Sequence, residues 1–216
     1  MRSKLWHWLV VLILPVLASC YPGGAEYYEE LDLVYTNYDN QFDFAGRHTY
    51  AVNDSVPKIG DDSFNDPDGD GEPDFMDPVY SVPLLASIRQ NMTAAGWTEV
   101  DENNSPDVIL LVDCMTTTNI YYYYDWWYWG WYYPGWYPGW GWYYPGYYPP
   151  YYITGYRSGT ISMRMTNPDP VIGGGNIPTE WLCLINGLAE GGTTNLVSRI
   201  QANVDKAFIQ SPYLRH

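Results

Sequence analysis

Asp107-Val108-Ile109-Leu110-Leu111-Val112-Asp113-Cys114-Met115 is a nearly continuous apolar run. Such a run predicts a strand buried on both faces or lying in the middle of a sheet. Upstream, the polar turn 101–106 separates it from a brief extended piece at 97–100. Before that, Leu84, Leu85, Ile88, Met92 and Ala95 recur at helical spacing with Arg89, Gln90 and Thr93 opposite. This predicts an amphipathic helix ending at Gly96. Asp77-Pro78 supplies an N-cap and first helical residue, although Pro83 can shift the start to Ser81.

Further upstream, Leu31, Leu33 and Tyr35 alternate with Asp32, Val34 and Thr36, a strand reaching residue 38 and closed by Asp39-Asn40. Residues 48–52 make a second short strand before Asn53-Asp54. Downstream, Ile161, Met163 and Met165 alternate with Thr160, Ser162 and Arg164, and another strand follows at 181–189. Gly173-Gly174-Gly175 lies between them but is not a phosphate loop, because a strand follows it and no Lys does. After Gly191-Gly192, Thr193 or Thr194 caps a last helix with Leu196, Val197, Ile200, Val204, Ala207 and Phe208 on one face, and Pro212 follows its end. This order predicts an α+β fold over residues 31–214: a mostly antiparallel sheet of about five strands with two helices packed on one face.

Two stretches interrupt that pattern. Residues 121–152 contain 14 Tyr, 7 Trp and ten Gly or Pro, with Asp125 the only charge. Pro and Gly every few residues forbid a helix through most of it, which leaves turns and extended backbone. Trp126, Trp127, Trp129, Trp131, Trp136, Trp140 and Trp142 are the candidate binding surface. Its partner is an envelope glycan, a membrane interface or an envelope protein, unless the rings stack only on one another and on the sheet.

The second interruption spans 61–78. Asp66, Asp68, Asp70, Asp74 and Asp77 stand at positions 1, 3, 5, 9 and 12 of a loop with Gly71 at position 6 and Glu72 offering its backbone carbonyl at position 7. A hard cation needs six to eight oxygens around a sharp turn, so this spacing makes a structural calcium site the candidate. Asp77 replaces the longer Glu usual at the last position, which weakens binding. The competing reading is a solvated Asp/Gly/Pro turn without metal.

The chain opens with Arg2 and Lys4, then an apolar run over residues 6–17 that is too short to span a bilayer. It ends in Leu17-Ala18-Ser19-Cys20, so residues 1–19 read as a secretory signal peptide. The four residues resemble the lipobox of bacterial lipoproteins, which implies lipidation of Cys20. Tyr21 after it, instead of Asp, implies the outer membrane. Residues 20–30 form the tether. The mature chain keeps 8 basic and 25 acidic residues, a formal charge of −17, which argues against a nucleic-acid partner. Cys114 and Cys183 are the other cysteines; they form either a bridge or two buried thiols.

The element order, together with Tyr38-Asp39, Phe42-Asp43-Phe44, Thr49-Tyr50-Ala51, Pro106-Asp107-Val108, Gly159-Thr160, Trp181, Gly187-Leu188-Ala189-Glu190-Gly191 and Ser211-Pro212, resembles bacterial lipoproteins of the domain of unknown function 4136 family. The resemblance implies an α+β sandwich in the envelope and no known activity. His48 is a lone histidine beside a strand and reads as structural, the other mature one being His216. Asp113, inside an apolar strand, is the one acid that suggests catalysis, and a glycan-processing enzyme is the alternative it raises. The favoured expectation is a non-enzymatic, lipid-anchored envelope protein with a structural or binding role. A calcium-dependent adhesion or assembly module is a further alternative.

Overall fold

The computed structural model describes residues 32–59, 74–115, 159–167, 179–188 and 195–216. In chain order the strands are β1 (Leu33–Tyr38), β2 (Thr49–Val52), β3 (Lys58–Ile59), β4 (Thr98–Glu99), β5 (Val108–Met115), β6 (Thr160–Thr166) and β7 (Thr179–Asn186). The helices are α1 (Pro78–Ala94) and α2 (Leu196–Gln210). The sheet runs β1-β7-β6-β5-β2-β4, and β3 lies on β5 beyond the end of β2.

The central run is confirmed as β5, in mid-sheet, with Val108 to Val112 all buried. The expectation of a mostly antiparallel sheet is corrected: β1–β7, β7–β6 and β6–β5 are antiparallel, but β5–β2, β5–β3 and β2–β4 are parallel. The cause is α1. It carries the chain back along the sheet, so β4 and β5 set out in the direction of β2. Side-chain alternation is the same for either direction, which hides this from the sequence.

The α1 helix starts at Pro78, because the Asp77 side chain accepts from Val79 N at 2.9 Å and Pro78 needs no donor there. Pro83 inside the helix does not move the start. The helix ends before Gly96, whose φ of 99° suits glycine. In α2 the expected threonine cap is replaced by Asn195, which makes no side-chain cap bond. The core lies between the helices and one sheet face: Leu84, Ile88, Met92, Ile200, Val204 and Ala207 meet Leu110, Ile161, Met163, Trp181 and Ile185, all buried. Each such Leu, Ile or Met contributes about 1.5–3 kcal/mol of transfer energy.

The other sheet face is buried too, although β6 alternates apolar and polar. Asp113, Thr160, Ser162, Arg164, Thr166 and Glu180 all lie there, beside Met115 and Leu184. Cys114 and Cys183 are free thiols. The β6 strand separates the strands that carry them, a gap of roughly 10 Å that a disulfide cannot span. Residues 32–216 form a compact unit of their own.

Candidate functional site

Cys20, the seven candidate tryptophans, and Asp66, Asp68, Asp70 and Glu72 lie outside the described residues. Their roots in the sheet are described. Lys58 N donates to Asp74 O at 2.7 Å, Met76 N donates to Val56 O at 2.7 Å, and Pro57 bridges Phe75, so the acidic stretch leaves and returns at one paired base. Of its two described acids, Asp77 has Oδ1 committed to the helix cap, while Asp74 is held through its backbone. Among the described residues no group of three His, Cys, Asp or Glu stands close enough to hold a metal.

The aromatic stretch has an equally defined base. Met115 pairs with Thr160, and Gly159 N donates to Met115 O at 2.7 Å, so the chain departs from β5 and re-enters β6 at one hydrogen-bonded step. Ile59 pairs with the same Met115 from the other side. Continuing across, Ile161 pairs with Ile185, Thr160 Oγ1 donates to Asn186 Oδ1 at 3.3 Å, and Asn186 pairs with Leu33. The acidic stretch, the aromatic stretch and the point where the chain enters the domain therefore share one end of the sheet. Periodicity places residues on faces; only strand register puts these three on one edge.

The entry point is clamped. Arg199 donates through Nε to Asp32 Oδ2 at 3.0 Å, through Nη2 to Asp32 Oδ1, and through Nη2 to Gly187 O at 3.0 Å. Asn203 Nδ2 adds a bond to Asp32 Oδ2 at 2.8 Å. All three side chains are buried, a burial that residue order does not reveal, because Arg199 and Asn203 sit beside an otherwise apolar helix stripe.

Asp113, the candidate acid, is wholly buried, and its Oδ2 accepts from Arg164 Nη2. Its Oδ1 has no hydrogen-bond partner among the described residues. Burial raises its pKa and the Arg164 charge opposes the rise. This is a buried ion pair across the β5–β6 register, with no access from solvent. Its partner was illegible in sequence, since Arg164 lies 51 residues away.

The opposite end of the sheet holds most of the residues that carried the family resemblance, and they interlock. Asp107 Oδ2 accepts from His48 N and Thr49 N at 2.9 Å and Thr49 Oγ1 at 2.8 Å. Burial works against the Asp107 charge, yet these bonds and Arg47 hold its pKa below the usual value. Tyr38 stacks on Tyr213 at 3.7 Å, Phe42 meets Phe44 edge-on, and Trp181 Nε1 donates to Ser211 Oγ at 2.9 Å. His48 is not alone: its ring lies 4.6 Å from that of His216, whose pKa burial and His48 both lower. Burial, with Asp39 nearby, pushes Glu180 up to about 7. These contacts pack and cap; they set no nucleophile beside a base.

A family model described as a domain of unknown function (DUF4136) matches residues 34–213. The fold is similar to the crystal structure of a DUF4136 family protein from Bacteroides thetaiotaomicron VPI-5482, with 31% identity, a TM-score of 0.62, and coverage of 85% of this chain and 97% of that one. Weaker likenesses are to a PDZ domain protein from Parabacteroides distasonis ATCC 8503 (15% identity, TM-score 0.44, 86% and 37% covered) and to a PelC dodecamer from Paraburkholderia phytofirmans (11% identity, TM-score 0.39, 86% and 98% covered). No curated protein matches.

Proposed function

The chain belongs to the domain of unknown function family DUF4136, and from that premise we propose that it is a lipid-anchored, non-enzymatic protein of the bacterial outer envelope. Residues 1–19 direct export, Cys20 carries the lipid, and residues 121–152 make contact with an envelope partner. The observation that carries this reading is the base of the aromatic stretch. It is rooted at one step, Met115 with Thr160, of the antiparallel β5–β6 pair, so its tyrosines and tryptophans are added to the fold without interrupting a strand. Tyr and Trp combine apolar area with a polar tip at low entropic cost, the chemistry of contact surfaces. Calcium is proposed as a structural ion of residues 66–77, with Asp77 reaching it through the oxygen left free by its cap bond. A rise in melting temperature with millimolar calcium, reversed by chelator, is expected; no rise would remove the ion from the proposal.

The test compares the soluble mature chain carrying Cys20→Ser with a version in which residues 121–152 are replaced by a short Gly-Ser linker. Both are applied to purified peptidoglycan and to outer-membrane extract. Retention of the intact chain only, with both proteins melting cooperatively, is the expected result. Equal retention of the two refutes the contact role. For the anchor, Cys20→Ala in the full chain should move the protein from the membrane to the soluble fraction.

A further inference from the structure

The two edges of the sheet are built differently. At one edge β4 is two residues long and its Glu99 pairs with Arg89, so that edge is short and charged, as a guard against a further strand should be. At the other, β1 is six residues long, from Leu33 to Tyr38, with no charge, proline or glycine. We propose that β1 is the contact by which two copies of this chain dimerise: the strands pair antiparallel about a two-fold axis at Thr36, and one sheet runs through both copies. The inference goes beyond the anchored reading above and does not depend on it.

Register shows which backbone groups of β1 are left for a partner. Asp39 N donates to Glu180 O at 2.9 Å, continuing the register in which Tyr38 faces Trp181 and Leu33 faces Asn186. Hydrogen-bonded pairs alternate along an antiparallel ladder, so Leu33, Tyr35 and Asn37 turn their N–H and C=O groups to β7. Those of Val34, Thr36 and Tyr38 point the other way, where no described strand lies and no described backbone group meets them.

The strand is complementary to itself. With Thr36 opposite Thr36 of the second copy, Val34 faces Tyr38 and Tyr38 faces Val34, and each outward N–H finds a carbonyl. On the helix side of the sheet this sets threonine against threonine and an aliphatic side chain against an aromatic one, both favourable cross-strand pairs. On the other side Tyr35 meets Asn37 and Leu33 meets Asp39, so no like charges oppose. Leu33 and Tyr38, 59% and 39% exposed, are the large apolar side chains that β1 leaves to water, and they stand at its two ends, where the pairing covers them. Thr36 Oγ1 also donates to Gln210 Oε1 at 3.5 Å, so the two α2 helices come side by side above the joined strands and widen the contact. Each mature chain carries a formal charge of −17, so the copies repel at long range although the contact itself is uncharged.

The test uses the mature chain with Cys20→Ser, whose free Cys114 and Cys183 set the background. Analytical ultracentrifugation should show a monomer–dimer equilibrium that tightens several-fold as salt rises from about 0.05 to about 0.5 M, because screening removes the repulsion between the copies. Thr36→Pro deletes an outward N–H and no bond to β7, and it should weaken the dimer at least about tenfold, two hydrogen bonds being lost per dimer. Thr36→Val keeps the N–H and should dimerise like the parent. Across the axis the two Thr36 Cα atoms stand about 5.5 Å apart, within disulfide reach, and those of Asn37 roughly 8 Å apart, beyond it. Mild oxidation should therefore link Thr36→Cys into a covalent dimer at least several-fold faster than Asn37→Cys. A parent that stays monomeric over its whole soluble range, a dimer that salt dissociates, equal dimerisation of Thr36→Pro and the parent, or equal cross-linking of the two cysteine variants overturns the proposal. If Thr36→Pro does not melt cooperatively, the cross-linking rates decide.

Discussion

Arg199→Met should cost this domain about 3–5 kcal/mol, because it leaves the Asp32 carboxylate buried with, among the described residues, the Asn203 amide alone to hold it. The side chains of Arg199 and Asp32 are 4% and 1% exposed, so water cannot take over the missing bonds. At roughly 2–4 °C per kcal/mol for a domain of this size, the midpoint should fall by roughly 6–20 °C. Asp32→Asn added to Arg199→Met removes the stranded charge and should recover part of the loss, a positive coupling of about 1–3 kcal/mol in a double-mutant cycle. Arg89→Met is the control. Arg89 bridges Asp54 at 2.6 Å and Glu99 at 3.0 Å, but the Asp54 side chain is 94% exposed, and its loss should cost less than about 1 kcal/mol. Urea and thermal unfolding followed by circular dichroism, in the mature chain with Cys20→Ser, measure the parent, Arg199→Met, Asp32→Asn, their double variant and Arg89→Met. An Arg199→Met loss within about 1 kcal/mol of the Arg89→Met loss would refute the view that burial makes the difference.

Glu180 titrates near 7 in the folded chain because burial, and then Asp39, disfavour its charge, against about 4.3 when unfolded. The folded state therefore holds the proton more tightly, and stability present in full below about pH 4 is lost as pH rises through 7. Allowing for solvent screening, the loss is about 1–2 kcal/mol; Glu180→Gln should match the parent at pH 4.5 and exceed it at pH 8, and identical curves would contradict the assignment. Gly96→Ala places a Cβ 3.0 Å from that of His216 at a φ of 99°, so unfolding should become easier by about 1–2 kcal/mol. A neutral Gly96→Ala would mean that the residues after α2 do not press on this turn.

Much of the architecture could be read from residue order. Apolar continuity at Val108 to Val112 identified the central strand, 3.6-residue spacing identified both helices, and Asp77-Pro78 marked where the first begins. The resemblance found the family because Trp181, Ser211 and Asp107 form the lock at one sheet end, which ties residue type to position. The candidate site was only half legible. Composition marked residues 121–152 and spacing marked 66–77, but the Arg164 partner of Asp113, the Arg199 clamp on Asp32 and the meeting of His48 with His216 all join residues far apart in the chain.

By itself, the sequence determined the local features: the main strands and both helices, where the first helix starts and stops, and which stretches stand outside the core. These follow from backbone propensity and side-chain periodicity, which act over a few residues. Tertiary structure decided the mixed direction of the sheet, the burial of its polar face, and the gathering of the chain's entry point, acidic stretch and aromatic stretch at one edge. Those depend on which strand pairs with which and in what register, and pairing is set by the packing of the whole core, not by any one segment.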